Sequence, residues 1–214
     1  MTMDWSSFTY CISMAGTVAF AVTAVLAIRS ESDIDIVGAI ILGLITATGG
    51  GTLRDIILGV PSFWSEDLTY IWVATAASIA ALYGRSFFSH RYLFGLMLYV
   101  DGLGAALFGI QGAEKAWALG FGLPVAPIIL GLTTAIGGGI MRDILAGRTT
   151  LLMRHEIYAT PVILSATLFI ILLNYFPEYR VLGSFLCILA AFALRAAAIH
   201  WNLSMPAFAI KPRN

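Results

Sequence analysis

Most of the chain is a succession of apolar runs, each about as long as a bilayer's hydrocarbon core is thick. A membrane-crossing helix needs about 20 mostly apolar residues. By that measure seven candidate spans stand in order at residues 8–28, 36–58, 68–83, 92–112, 125–146, 157–175 and 181–199. The connections are short: Arg29-Ser30-Glu31-Ser32-Asp33, the stretch 60–67 with Phe63 and Trp64 as interfacial aromatics, Gly84 to Arg91, a polar and glycine-rich stretch 114–124, and Asn174 to Arg180. Only 11% of the residues are charged while 59% are hydrophobic. A soluble domain carries about 25% charged residues, so the chain lacks the polar cover that water requires. The expectation is an all-α integral membrane protein, a single transmembrane domain over residues 1–214. The tail 201–214 is too polar and proline-bearing to span.

The N-terminus reads Met1-Thr2-Met3-Asp4-Trp5, without a positive n-region, and no A-x-A site follows the first run. That run is therefore expected to stay as a permanent span. Arg29, Arg85, Arg91, Arg148, Arg154, Arg195, Lys211 and Arg213 fall on one set of flanks, and only Lys115 and Arg180 on the other, beside Glu66, Asp67, Glu114 and Glu178. The positive-inside rule then places the N-terminus outside and the C-terminus in the cytoplasm. Net charge is zero, so no basic field points to nucleic acid. Cys11 and Cys187 both fall inside spans and read as small apolar residues rather than as a disulfide.

Within these runs one heptapeptide occurs twice. Gly49-Gly50-Gly51-Thr52-Leu53-Arg54-Asp55 returns as Gly137-Gly138-Gly139-Ile140-Met141-Arg142-Asp143, 88 residues later. The same offset pairs Gly16 with Gly104, Phe20 with Phe108, Gly43 with Gly131 and Gly59 with Gly147. The repeat thus covers spans one to three (about 8–84) and four to six (about 92–175), with a seventh helix at about 181–199. Three is odd, so the second copy enters the membrane inverted relative to the first, the plan of many transporters whose sites lie near the midplane at the repeat interface.

Each copy accepts features that a span ordinarily rejects. Glycine weakens a helix interior by about 0.8–1 kcal/mol relative to alanine, and an ionisable group at the bilayer centre costs at least ~2.5–3.5 kcal/mol. Three successive glycines can bend or unwind a helix and turn carbonyls toward a path for a dehydrated cation. They can also simply let helices pack closely. Arg54 and Asp55 are neighbours in sequence and do not face each other on a regular helix. One arrangement sets Arg54 near Asp143 and Arg142 near Asp55 across the pseudo-two-fold axis; another lets these residues snorkel to the interface. Asp101 is a further deep charge, a candidate pore acid, a partner for a motif arginine or a structural hydrogen-bonding group. Thr48, Thr133 and Thr134 offer hydroxyls along the same segments. The glycine stretch lacks the Gly-Lys-Ser/Thr ending that cradles a nucleotide phosphate. His90, His155 and His200 lie at span ends without metal-ligand spacing, and no nucleophile–base pair stands out. Neither an enzyme nor a cofactor or resident metal is expected.

These residues resemble the prokaryotic TRIC family, relatives of the trimeric intracellular cation channels whose bacterial members also carry a glycine-transporter domain label. The resemblance rests on the paired GGGxxRD segments, on Asp101-Gly102-Leu103-Gly104-Ala105-Ala106-Leu107-Phe108 with Gly112-Ala113-Glu114-Lys115-Ala116, and on Arg154-His155-Glu156-Ile157-Tyr158-Ala159-Thr160. It implies a seven-helix homotrimer with a pore in each protomer between inverted halves. It also implies helices kinked at Gly49–Gly51 and Gly137–Gly139, and passage of monovalent cations, K⁺ chiefly and Na⁺, at those kinks. Lys115 matches the family's lysine after the fourth span's glycine, or is an ordinary interfacial lysine. In the bacterial pattern an acidic residue precedes the first-span glycine, as Asp101 precedes Gly104. Here the equivalent position is Ser13, and the later small pair is Thr23-Ala24. Phosphoinositide binding is not carried over. The implied setting is a bacterial inner membrane, with membrane lipids, monovalent cations and further copies of the chain as partners. Three readings stay open: a passive cation channel, a secondary carrier of glycine or another small amino acid, and a structural membrane protein.

Overall fold

The computed structural model describes residues 4–28, 34–84, 90–154 and 156–204, without the side chains of His90 and Arg91. Arg29, Arg85, His155, Lys211 and Arg213 lie outside the described residues, so those parts of the charge argument have no structural counterpart. Among the described residues the chain forms eight helices: α1 Trp5–Ala27, α2 Ile36–Leu58, α3 Phe63–Glu66, α4 Thr69–Gly84, α5 His90–Ala118, α6 Val125–Leu145, α7 Ala159–Tyr175 and α8 Arg180–His200. Five of them (α1, α2, α5, α6 and α8) are long and apolar enough to cross a membrane, while the apolar α4 and α7 have 16 and 17 residues.

Local chemistry sets the ends. Asp35 caps α2 by accepting a hydrogen bond from the Gly38 N–H at 2.7 Å. Gly59 ends the same helix in the left-handed region at φ 68°, and Val60 N–H reaches back to the Asp55 carbonyl at 3.0 Å. The end of α6 repeats this turn, with Gly147 at φ 63° and Arg148 N–H on the Asp143 carbonyl at 2.8 Å. A left-handed residue after a helix satisfies its last carbonyls, and glycine adopts it without a Cβ penalty.

Helices α1, α2 and α4 pack on one another, as do α5, α6 and α7; the two groups meet along α1–α5 and α2–α6, and α8 leans on α7 and α5. At the centre the Phe20 and Phe108 rings lie 5.3 Å apart. Phe20 covers Gly104 and Phe108 covers Gly16, so each half places its ring on the other's glycine. Large apolar side chains point outward all round, among them Trp72, Tyr83, Ile129, Leu164 and Leu186. Since lipid is as apolar as leucine, such helices are held by close packing and polar contacts rather than by expulsion from water.

Two stretches depart from the sequence expectations. The connection 114–124 is helical in its first part, because α5 continues to Ala118. Ala113 and Ala116 are fully buried there, and Glu114 is buried against Arg180. The aromatics of 60–67 pack back on the protein's own helices, contacts that the sequence did not show. Phe63 meets Tyr70 edge-on at 4.7 Å and lies over Gly51, while the Trp64 indole N–H donates to the Thr52 hydroxyl at 2.9 Å.

Candidate functional site

The two glycine triplets meet each other. A Cβ on Gly50 would fall far inside contact distance of the Thr134 carbonyl oxygen, and one on Gly138 would do the same to the Thr46 carbonyl. Thr46 and Thr134 are themselves 88 residues apart, so the contact is reciprocal. A Cβ on Gly137 would sit 3.1 Å from the Gly50 Cα. All six glycines are buried, and the α-helix runs through both triplets without interruption. The expected unwinding is therefore not seen. The carbonyls stay in helical hydrogen bonds, and what three glycines supply here is the missing Cβ at a helix crossing. The nearby hydroxyls turn inward on their own helices: Thr48 donates to Leu44 O, Thr133 to Ile129 O and Thr134 to Leu130 O.

One turn further on, each Arg–Asp pair is locked to itself. Arg54 Nε donates to Asp55 Oδ1 at 2.8 Å, and Arg142 Nε to Asp143 Oδ1 at 2.9 Å. The expectation that sequence neighbours cannot meet fails for a physical reason. Arginine's side chain is long enough to fold back along the helix, and a charged hydrogen bond to the adjacent guanidinium offsets the cost of burying these carboxylates. The other carboxylate oxygen in each half holds the turn that follows: Asp55 Oδ2 accepts from Phe63 N–H at 2.8 Å, and Asp143 Oδ2 from Leu151 N–H at 3.1 Å. Phe63 and Leu151 again stand 88 residues apart.

The guanidiniums then reach across the halves, but not to the opposite motif's aspartate. Arg54 Nη1 donates to Gln111 Oε1 at 3.1 Å, and Gln111 Nε2 passes a second bond to Ser13 Oγ at 2.8 Å. Arg142 Nη1 donates to Thr23 Oγ1 at 3.0 Å and pairs with Asp101. The pairings Arg54–Asp143 and Arg142–Asp55 are replaced by these, and Lys115 takes Asp55 Oδ1 at 2.8 Å. Snorkelling is equally absent, since Arg54, Asp55, Asp101 and Arg142 are all 0% exposed. Lys115 is the partly open member, with its side chain 28% exposed.

Of the sequence-predicted residues, the structure joins Arg54, Asp55, Lys115 and Ser13 in one cluster and Arg142, Asp143 and Asp101 in another. The glycine triplets form the crossing between them. Gln111, Thr23 and Tyr158 were not singled out as site residues by sequence. The Tyr158 hydroxyl lies beside Gly139 and Asp101. The offset of 88 carried the missing signal, because it pairs Thr23 with Gln111 and Tyr70 with Tyr158. Among the described residues no group of three or more His, Cys, Asp or Glu side chains is placed to hold a metal ion.

Comparison with known proteins follows this geometry. The family model described as "Glycine transporter" matches twice, over residues 10–86 and 98–174, and the two matches are displaced by the same 88 residues. The "UPF0126 membrane protein" of Vibrio cholerae is 35% identical over 210 residues, covering 96% of this chain and 84% of that one. The "UPF0126 inner membrane protein YadS" of Escherichia coli K12 is 34% identical over 203 residues, covering 94% and 96%. The solved TRIC trimeric intracellular cation channel orthologue from Rhodobacter sphaeroides superposes with a TM-score of 0.83 at 37% identity, over 91% of this chain and 98% of that one. These relatives of known structure are membrane channels rather than enzymes. The chain is an integral membrane protein of bacterial type, and it belongs to the TRIC family, whose family model carries the glycine-transporter description.

Proposed function

We propose that the protein is a passive channel for monovalent cations, chiefly K⁺. It works as a homotrimer in the bacterial inner membrane, with a path in each protomer between two inverted three-helix halves. The observation that carries this reading is the close match in fold and sequence to a solved trimeric cation channel over nine-tenths of the chain. Its support in the geometry is the polar seam between the halves. Ionisable residues inside a span are rare, and they mark ion or proton pathways where they occur. Here they gather at both ends of the α2–α6 crossing. Thr134 lies at the same crossing, against Gly50, with its hydroxyl oxygen left as an acceptor.

The inverted plan draws support from the reciprocal contacts of Gly50 with Thr134, of Gly138 with Thr46, and of Phe20 with Phe108. Contacts that exchange partners between halves are what a two-fold axis in the membrane plane produces. Seven crossings follow if α4 and α7 span. An odd number of crossings puts the termini on opposite sides of the membrane, and the positive-inside rule supports the N-terminus outside and the C-terminus in the cytoplasm, with repeats at about 8–84 and 92–175. Exposed small residues on α8, Ala190 and Ala193, suit close contact between protomers.

A carrier of glycine is the second reading, favoured by the description of the matching family model. Reconstitution of the purified protein separates the two. Single-channel K⁺ currents in a planar bilayer are the expected result, and saturable glycine uptake without current would replace the channel by the carrier. For the orientation, a reporter fused after Asn214 is expected to be active only as a cytoplasmic protein; a periplasmic signal reverses the topology.

A further inference from the structure

Helix α8 stands outside the doubled unit and leaves a gap between itself and α1. It packs on α7 and α5 rather than on α1. Near one end the gap is bridged: the Arg180 guanidinium carbon lies 4.1 Å from the Trp5 ring centroid, and Trp5 meets Phe8 at 5.9 Å. From that bridge an apolar groove of about 340 Å³ runs between α1, α5 and α8, walled by Phe8 and Ala15, Leu103 and Leu107, and Phe185 and Phe192. Ala15 and Phe185 are exposed, so the groove opens to the outside of the helix bundle.

The depth of the groove is informative. Its rim is set by Trp5 on α1, Glu114 on α5 and Arg180 on α8, with Glu114 paired to Arg180. From that level ten residues lead along α1 to Ala15, eleven back along α5 to Leu103 and twelve along α8 to Phe192, about 15–18 Å of helix. Half of a hydrocarbon core about 30 Å thick is the same distance. Beyond Phe192, α5 and α8 close on each other: a Cβ on Gly102 would lie 2.7 Å from Arg195 Cγ. A groove one leaflet deep suits an acyl chain, whereas a spanning helix from a second copy would need one of full membrane depth.

The rim supplies the matching head chemistry. The Arg180 side chain stays 33% exposed beside its pair with Glu114. A guanidinium carries five N–H donors in a planar fork that suits phosphate oxygens, and tryptophan favours the headgroup level of a bilayer. We propose that the α1–α5–α8 groove is a phospholipid site. An acyl chain lies along Phe8, Leu107 and Phe192, and the phosphodiester meets Arg180 beside Trp5. The lipid comes from the leaflet at the Trp5 end and joins α8 to the first helix of the repeat. The site is independent of what the protein conducts.

The test is native mass spectrometry of the delipidated full-length protein, titrated with palmitoyl-oleoyl phosphatidylethanolamine or with the diacylglycerol of the same chains, which lacks phosphate. Wild type is expected to hold the phospholipid at least about tenfold more tightly than the diacylglycerol, the contribution of a charged hydrogen bond. Ala15→Phe puts a ring into the groove from an exposed position and is expected to weaken phospholipid binding about tenfold. Arg180→Gln combined with Glu114→Gln leaves neither charge unpaired; it is expected to weaken the phospholipid and leave the diacylglycerol unchanged. Added phospholipid should raise the melting temperature of wild type and not that of Ala15→Phe. Equal binding of the two probes by wild type overturns the proposal, as does an Ala15→Phe protein that binds phospholipid like wild type. An Ala15→Phe protein that loses its oligomeric state with lipid binding intact also overturns it, because the groove then holds a neighbouring copy. The channel reading stands or falls on single-channel current alone, so the two failures are distinguishable.

Discussion

Arg142→Ala is expected to leave little folded protein in the membrane. The guanidinium is wholly buried and is shared by Asp101, Asp143 and Thr23. Its removal leaves two buried carboxylates without their shared cation. Breaking one partner out of a buried ion pair costs about 3–5 kcal/mol, and here two acids lose the same cation. Arg142→Lys keeps the charge but not the fork that bonds two helices and the adjacent aspartate at once. An intermediate loss of about 1–3 kcal/mol is expected from the missing charged hydrogen bonds. Arg54→Ala should be milder than Arg142→Ala. Asp55 keeps Lys115 and the Phe63 N–H, and no second acid is left behind. Thermal unfolding of detergent-extracted protein, followed by size-exclusion chromatography, gives the order. Equal melting of Arg142→Ala and wild type would show that the pair network does not hold the halves together.

Gly138→Ala and Gly50→Ala are expected to be the next most damaging single changes. The added methyl in each would run into a backbone carbonyl of the opposing helix, Thr46 or Thr134. A carbonyl cannot rotate away, so α2 and α6 must separate. Overpacking of that kind costs typically about 1–3 kcal/mol, and the separation also disturbs the seam that the proposed path follows. Gly49→Ala and Gly51→Ala meet the Met141 thioether and the Phe63 ring instead, side chains that can move, and should be tolerated better. Gly95 in α5 is the control, with nothing within 4 Å of a built Cβ. Alanine there should stabilise the helix by up to about 1 kcal/mol. The measurements are melting temperature and open-channel current for each variant. If Gly138→Ala melts like Gly95→Ala, the close crossing is not a requirement of the fold.

The contrast between these predictions shows where sequence reasoning reached and where it stopped. Helix positions were legible because a run of apolar residues about one bilayer long has few alternatives to a helix. The end of α5 was not legible. Glu114 and Lys115 read as the start of a polar connection, yet Arg180 and Asp55, distant in sequence, provide the partners that let the helix continue through them. Phe63 and Trp64 read as interfacial aromatics for the same reason. Nothing local shows that Gly51 and Thr52 leave room and a hydroxyl for them. The glycine triplets were recognised as important, but sequence offered two roles, a bent or unwound helix and close packing. The opposing Thr46 and Thr134 carbonyls, 88 residues apart, show that close packing is realised in this structure.

The sequence by itself determined that the chain is a helical membrane protein built from a doubled unit. Hydropathy and an 88-residue offset are properties of the linear string and survive any folding. It also determined which residues would be costly to bury, and hence which ones the fold would have to partner. Which partner each one took was a matter for the tertiary structure alone. Arg54 and Arg142 are identical in motif, yet one found Gln111 and the other Asp101. That outcome depends on what α5 and α1 carry at the height where each guanidinium arrives. A buried charge selects its partners by distance and geometry in three dimensions, and neither is written along the chain.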